Sequence, residues 1–196
     1  MTVGFGIIGC GMIAREILAV CDQLGLDHIE LTCLPAMWHH HPEHIAPGVD
    51  AAIQKARSAG YEHIFVAYAD CGTGGHLDRI CEQHGVERIP GPHCFSFYLG
   101  NDQFEDESDE LITSFFMTDF LARHFETFLV KPLGLDRHPE LREMYFGNYT
   151  TLVYLAQTED EKLTENAIGA AEFLGLEFEK RNTGYGDLAS ALASAG

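Results

Sequence analysis

A chain of 196 residues with 46% apolar composition can bury one sizeable core and is short for two full domains, so a single domain spanning residues 1–196 is expected. Thirty acidic residues against twelve basic ones give a formal charge of −18, which repels phosphate backbones and anionic headgroups and argues against nucleic acid and membrane surfaces as partners. Met1-Thr2-Val3-Gly4 has no signal-peptide layout, and the most apolar long stretch, Leu111 to Val130, carries Asp119, Arg123, His124 and Glu126. A cytoplasmic protein is expected, in which six cysteines serve as core residues, ligands or nucleophiles and not as disulfides.

Val3 to Ile8 reads as a first strand, turned by Gly9-Cys10-Gly11 into an amphipathic helix over Met12 to Leu24. His28 to Cys33 reads as a second strand stopped by Pro35, and the loop Ala36 to His44 that follows contains His39, His40, His41 and His44. Val49 to Ser58 reads as a helix. Ile64 to Ala67 is a buried strand that runs into Tyr68-Ala69-Asp70-Cys71-Gly72-Thr73-Gly74-Gly75 and then into a helix over Leu77 to His84.

A short signature recurs where helices give way to strands: Gly25-Leu26-Asp27-His28-Ile29, Gly60-Tyr61-Glu62-His63-Ile64, Gly85-Val86-Glu87-Arg88-Ile89 and Gly175-Leu176-Glu177-Phe178. The glycine supplies the left-handed cap of the outgoing helix and the apolar residue begins the next strand. Such alternation predicts an α/β domain with a mainly parallel sheet and helices on both faces. Between Gly91 and Asn148 it lapses, and residues 91–148 read as a helical insertion capping the carboxyl edge, with an acidic run from Glu105 to Glu110 and a long helical segment from Leu111. Thr151 to Leu155, Glu161 to Leu174 and Leu176 to Arg181 then read as strand, helix and strand.

Ligands bind open parallel sheets at the carboxyl edge, where the predicted strands deliver Cys10, Cys33, Cys71 and Cys94. Thiolates from separate loops, with His93 and His39 close in sequence, suit zinc or an iron-sulfur cluster. No Cys-x-x-Cys spacing is present, so the fold itself would have to assemble the ligands. Cys21 and Cys81 fall inside helices and read as small core residues. Asp70 and Cys71 are expected to face whatever binds, with Gly72, Thr73, Gly74 and Gly75 bringing backbone close to it. A second possibility is nucleophilic catalysis by Cys71, with His93 or His124 as base, and a third is dinucleotide binding at Gly9-x-Gly11-x-x-Ala14 with Glu30 as the ribose acid. Against NAD, Glu30 lies inside the predicted strand and not at its tip. Asp119 and Arg123 stand at i,i+4, where a surface ion pair is the plain alternative to a functional aspartate.

Cys10-Gly11, Cys33-Leu34-Pro35, the Tyr68 to Gly75 run, Pro92-His93-Cys94 and Asp119 together resemble a bacterial and archaeal domain-of-unknown-function family, and the likeness covers most of the chain. Members of that family are often encoded near corrinoid-dependent methyltransferases for methylated amines. The resemblance therefore implies a place in one-carbon metabolism and a small-molecule substrate or a corrinoid or methyltransferase protein as partner. No corrinoid-binding Asp-x-His-x-x-Gly pattern occurs in the chain, which fits a protein acting beside a corrinoid protein better than one binding the cofactor in that way. A metal-dependent methyltransferase and a non-enzymatic metal carrier or accessory protein both remain compatible with the same ligands.

Overall fold

The computed structural model describes residues 4–196, so Val3, at the expected start of the first strand, lies outside the described residues. Two compact units emerge: the chain up to Asn101 together with Tyr185–Gly196, and Asp102–Gly184.

In the first unit β1 (Phe5–Cys10) leads through one 3-10 turn into α1 (Ala14–Leu24), and β2 (Ile29–Leu34) follows. Two further 3-10 turns, Ala36–His40 and Pro42–His44, lead to α2 (Ile45–Ser58), β3 (His63–Ala67), α3 (His76–His84), the two-residue β4 (Glu87–Arg88) and α4 (Cys94–Leu99). The strands are all parallel, in the order β2-β1-β3-β4. The recurring glycine signature does what its sequence predicts. Gly25, Gly85 and Gly175 have φ of 68°, 59° and 75°, and the next residue's N–H reaches back to Cys21, Cys81 and Ala171 respectively, closing each helix in a Schellman cap.

Strand alternation sorts the side chains between the two faces. Ile8, Ile64, Val66 and Tyr68 pack with Ile45, Val49 and Ile53 of α2 and with Leu77 and Cys81 of α3. On the other face Gly9 lies so close to α1 that a Cβ there would stand 2.6 Å from Ile17. Cys21 and Cys81 are buried in these helices, as expected of small core residues.

The second unit begins within α5 (Asn101–Asp106) and continues with α6 (Ser108–Leu111), β5 (Ser114–Thr118), α7 (Asp119–Phe125), a π-helical turn (Glu126–Val130), α8 (Leu141–Phe146), β6 (Thr151–Ala156), α9 (Glu161–Leu174) and β7 (Glu177–Asn182). Its strands form a separate parallel sheet, β5-β6-β7. The chain then supplies α10 (Asp187–Ala195) to the first unit, where it packs on α1 and α4.

The α/β class and the parallel pairing stand, while the expected single sheet is two. The reading of 91–148 as a purely helical insertion is corrected by β5. Between Ser114 and Thr118 stand only three apolar residues, Phe115-Phe116-Met117, and so short a run cannot be told from a turn of helix by periodicity. No helix among the described residues is long and apolar enough to cross a membrane.

Candidate thiol site

In the order β2-β1-β3-β4 the chain winds one way from β1 to β2 and the other way from β3 to β4. Beyond the carboxyl ends of β1 and β3, connections diverge and leave a crevice. Cys10 is the last residue of β1 and Cys71 lies just past β3, so both stand at this switch point. A third thiol arrives because pairing continues beyond the regular strands: Ile89 donates to the Val66 carbonyl, Asp70 to Gly91 and Cys71 to Pro92 at 2.8 Å. That register lays Pro92-His93-Cys94 alongside Cys71. Arg88 fixes the same segment, its Nε bonding Asp78 of α3 at 2.6 Å and its Nη1 the Ile89 carbonyl at 2.7 Å.

Cys10, Cys71, Cys94, His39 and Tyr68 line a cavity of about 20 Å³, walled by the apolar side chains of Met12, Ile13 and Phe97. A space of this size holds about one water-sized occupant. His39 reaches it from the 3-10 turn Ala36–His40, which is anchored where Trp38 lies against Gly48 so closely that any Cβ there would clash with the indole. His39 is an exposed residue that borders the cavity.

Cys71 has φ of 50°, the only positive value of a non-glycine residue among the described residues. The left-handed region costs such a residue about 1–2 kcal/mol and persists only where neighbours enforce it. Asp70 is the enforcer. Its Oδ1 accepts from Thr73 Oγ1 at 2.6 Å and from the Gly75 N–H at 2.9 Å, and its Oδ2 from the Gly74 N–H at 3.2 Å. These bonds, with the Arg88 charge, outweigh the effect of burial and hold the carboxyl below its ordinary value. The expectation that Asp70 faces a ligand is thereby corrected: its lone pairs serve its own loop. The Gly74 and Gly75 N–H groups are likewise spent on Asp70, and Gly72 lies against Pro42, so this turn is a frame for Cys71 and not a phosphate cradle.

Burial pushes the Cys10 thiol up, the Met12 backbone and the nearby Tyr68 hydroxyl offsetting part of the effect. Burial first, then Cys10 and Asp70, push Cys71 up to about 12. Cys94 is raised well above the ordinary value by burial, then by Cys71 and Cys10. Burial lowers His39, helped by His40 and His93. The pocket thus disfavours charge on its imidazole and on its thiols, Cys10 raising the cost of a negative charge on Cys71 and both raising it on Cys94, and none of its lining residues is Lys or Arg. Tyr68 is 1% exposed, and its hydroxyl has no hydrogen-bond partner. The Cys10 sulfur is close enough to perturb it without meeting hydrogen-bond geometry, and an unsatisfied buried hydroxyl costs about 1–3 kcal/mol.

The remaining expected site residues go elsewhere. β2 ends at Leu34, not Cys33, so alternation puts Cys33 on the face shared with Leu31 and α1; it is exposed and does not line the cavity. His93 stands near His39, is lowered by burial, and also lies outside the lining. Cys81 and His84, one helical turn apart on α3, separate into a core thiol and an imidazole bonded to Asp50 at 2.6 Å. Gly9 and Gly11 are occupied by packing. A Cβ on Gly11 would come within 2.9 Å of the Leu34 carbonyl, and Glu30 sits near the amino end of β2, far along the strand from Leu34. Among the described residues no three His, Cys, Asp or Glu side chains stand as a group ready to hold a metal ion.

Asp119 belongs to the second unit and is 1% exposed. Its carboxylate accepts from Tyr154 Oη at 2.7 Å, the Gln157 N–H at 3.1 Å and Thr158 Oγ1 at 2.5 Å, and its own N–H donates to Gln157 Oε1. Arg123 bonds the Asp119 carbonyl and not its carboxylate, so the i,i+4 ion pair that stood as the plain alternative to a functional aspartate does not form. The network ties the end of β5 to the end of β6. His124 clusters with Phe120 and Phe128 in the same unit.

Sequence reading missed Tyr68 as a site residue because it continues an apolar run. The signal available was its position, a hydroxyl on the last side chain before the turn. No curated protein and no solved structure matches the chain. A family model described as a protein of unknown function, DUF1638, matches residues 33–192, which include Cys71, Cys94 and Asp119 and begin after Cys10. That span is well over half of the sequence, and the chain belongs to the DUF1638 family.

Proposed function

We propose that the first unit binds a single thiophilic cation, zinc foremost, through Cys10, Cys71 and Cys94, with His39 as the nitrogen donor. The observation that carries this reading is the meeting of three thiols from three separate chain segments on one buried cavity at the switch point. Soft sulfur donors with an imidazole match zinc, and a dication reverses the electrostatics that keep the thiols protonated. The side chains are not gathered around a common centre, so binding requires rotation about the single side-chain torsion of each cysteine between its staggered wells.

The cavity volume favours one of the metals expected from sequence. About 20 Å³ suits one ion and is too small for a cluster of several irons and sulfides. It is also too small for an organic substrate beside the ion, which favours an accessory or carrier protein over a methyltransferase acting within this cavity. The genomic company implied by the family resemblance would make a corrinoid or methyltransferase protein the recipient or partner. A lone nucleophile at Cys71 fits less well, because a reactive thiol needs a depressed pKa and this one is pushed up to about 12.

The test is metal analysis of protein purified without oxygen. About one zinc per chain is expected in wild type and in Cys33→Ser, with loss in Cys10→Ser, Cys71→Ser and Cys94→Ser. Failure of wild type to take up zinc, or retention by all three variants, overturns the site; several irons per chain with a visible sulfide-to-iron band overturns the single-ion reading.

A further inference from the structure

The cavity holds one polar group that no ligand set explains. Tyr68 continues β3 onto the face shared with Ile64 and Val66, and its ring fills space a phenylalanine would fill equally well. Only the hydroxyl distinguishes them, and it is buried without a hydrogen-bond partner, next to Cys10, in the wall of the same cavity. A neutral thiol is a weak acceptor, whereas a metal-bound thiolate is a strong one.

We propose that Tyr68 is a positioning residue of the thiol site, its phenol O–H donating to the Cys10 sulfur once a cation has displaced the thiol proton. The inference rests on the metal-binding reading. When the cation binds, the Cys10 S–H bond breaks, its proton leaves to solvent, and the electron pair left on sulfur is shared between the metal and the phenol hydrogen. The tyrosine keeps its own proton throughout. Such a bond selects the Cys10 rotamer that points along the cavity and draws electron density from the sulfur. Groups that orient metal ligands in this way typically change affinity by about 10–100-fold when removed.

Tyr68→Phe in the full-length chain tests this, with zinc affinity measured by chelator competition and cobalt(II) substituted for spectroscopy. The variant should melt, metal-free, at or above the wild-type temperature, because it loses an unsatisfied hydroxyl. Its zinc affinity should fall at least about tenfold, and its sulfur-to-cobalt charge-transfer band should move to longer wavelength, since a thiolate without the donated hydrogen bond is more easily oxidised. If wild type binds neither zinc nor cobalt, the metal-binding reading fails and this inference with it. If wild type binds and Tyr68→Phe matches it in affinity and band position, the inference alone is overturned. A variant with lowered metal-free stability, lowered affinity and an unmoved band overturns it too, marking Tyr68 as a packing residue.

Discussion

Cys71 offers a measurement in which the usual order of two substitutions inverts. At ordinary helix, strand or loop positions alanine is more stable than glycine by about 0.4–1 kcal/mol, because glycine gains more entropy on unfolding. At φ of 50° the order reverses, since the left-handed conformation costs a residue with a Cβ about 1–2 kcal/mol that glycine does not incur. Cys71→Gly and Cys71→Ala both lose the sulfur and its burial, so their difference isolates the backbone. Taking midpoints, the glycine variant should be the more stable by about 0.8 kcal/mol, or about 0.4 M in urea midpoint for a slope near 2 kcal/mol/M. Trp38, the single tryptophan, packs against the core of the same unit and reports its unfolding by fluorescence. The protein should be stripped of metal first, so that a lost ligand does not enter the comparison. An alanine variant as stable as the glycine variant, or more so, would show that the loop relaxes without Cys71 in the left-handed region and would remove the claim that the thiol is held there by force.

Asp70→Ala should destabilise the metal-free protein by about 2 kcal/mol at pH 7, as three donors lose a charged acceptor partly open to water. The folded carboxyl lies below its ordinary value, so this stabilisation is present above the unfolded pKa of about 3.9 and fades as pH falls through the folded one; a wild-type advantage in urea midpoint that persists undiminished well below pH 3 would contradict the assignment. With Cys71 pushed up to about 12, only about one thiol in ten thousand is ionised at pH 8, and iodoacetamide followed by peptide mass spectrometry should label exposed Cys33 well before Cys71. Preferential labelling of Cys71 would reverse the choice between ligand and nucleophile.

The parts of the fold carried by local chemistry were readable from sequence. A helix-ending glycine followed by an apolar residue marks a backbone conformation and a strand onset within five residues, which is why Gly25, Gly85 and Gly175 all cap as expected. β5 and α10 escaped for different reasons: the apolar part of Ser114–Thr118 is three residues, too short to show a period, and Asp187–Ala195 carries only two large apolar residues, Leu188 and Leu192, among alanines and serines. Of the four rim cysteines, Cys10, Cys71 and Cys94 meet, and Cys33 is lost by one residue of register. A strand end placed at 33 or 34 is within ordinary boundary error, yet alternation makes that single residue decide which side of the sheet the sulfur occupies. The role of Asp70 was not legible because a carboxylate three residues before Thr73 reads the same whether it binds a ligand or its own turn.

Three local costs coincide at one place in the first unit: a cysteine in the left-handed region, a buried hydroxyl without a partner and a set of desolvated thiols that disfavour each other's ionisation. The surroundings are built to sustain them, through the Asp70 bonds, the Arg88 anchor and the pairing of Cys71 with Pro92. Each cost has a separate and cheaper alternative in glycine, phenylalanine and alanine, none of which alters the pattern of strands and helices. The proposed cation would act on all of them together. It would draw on the sulfur that the strained turn presents, make the Cys10 sulfur an acceptor for the phenol and offset the negative charge that ionised thiols impose on one another. By the same linkage the bound ion should stabilise this unit in proportion to the logarithm of its free concentration above the dissociation constant.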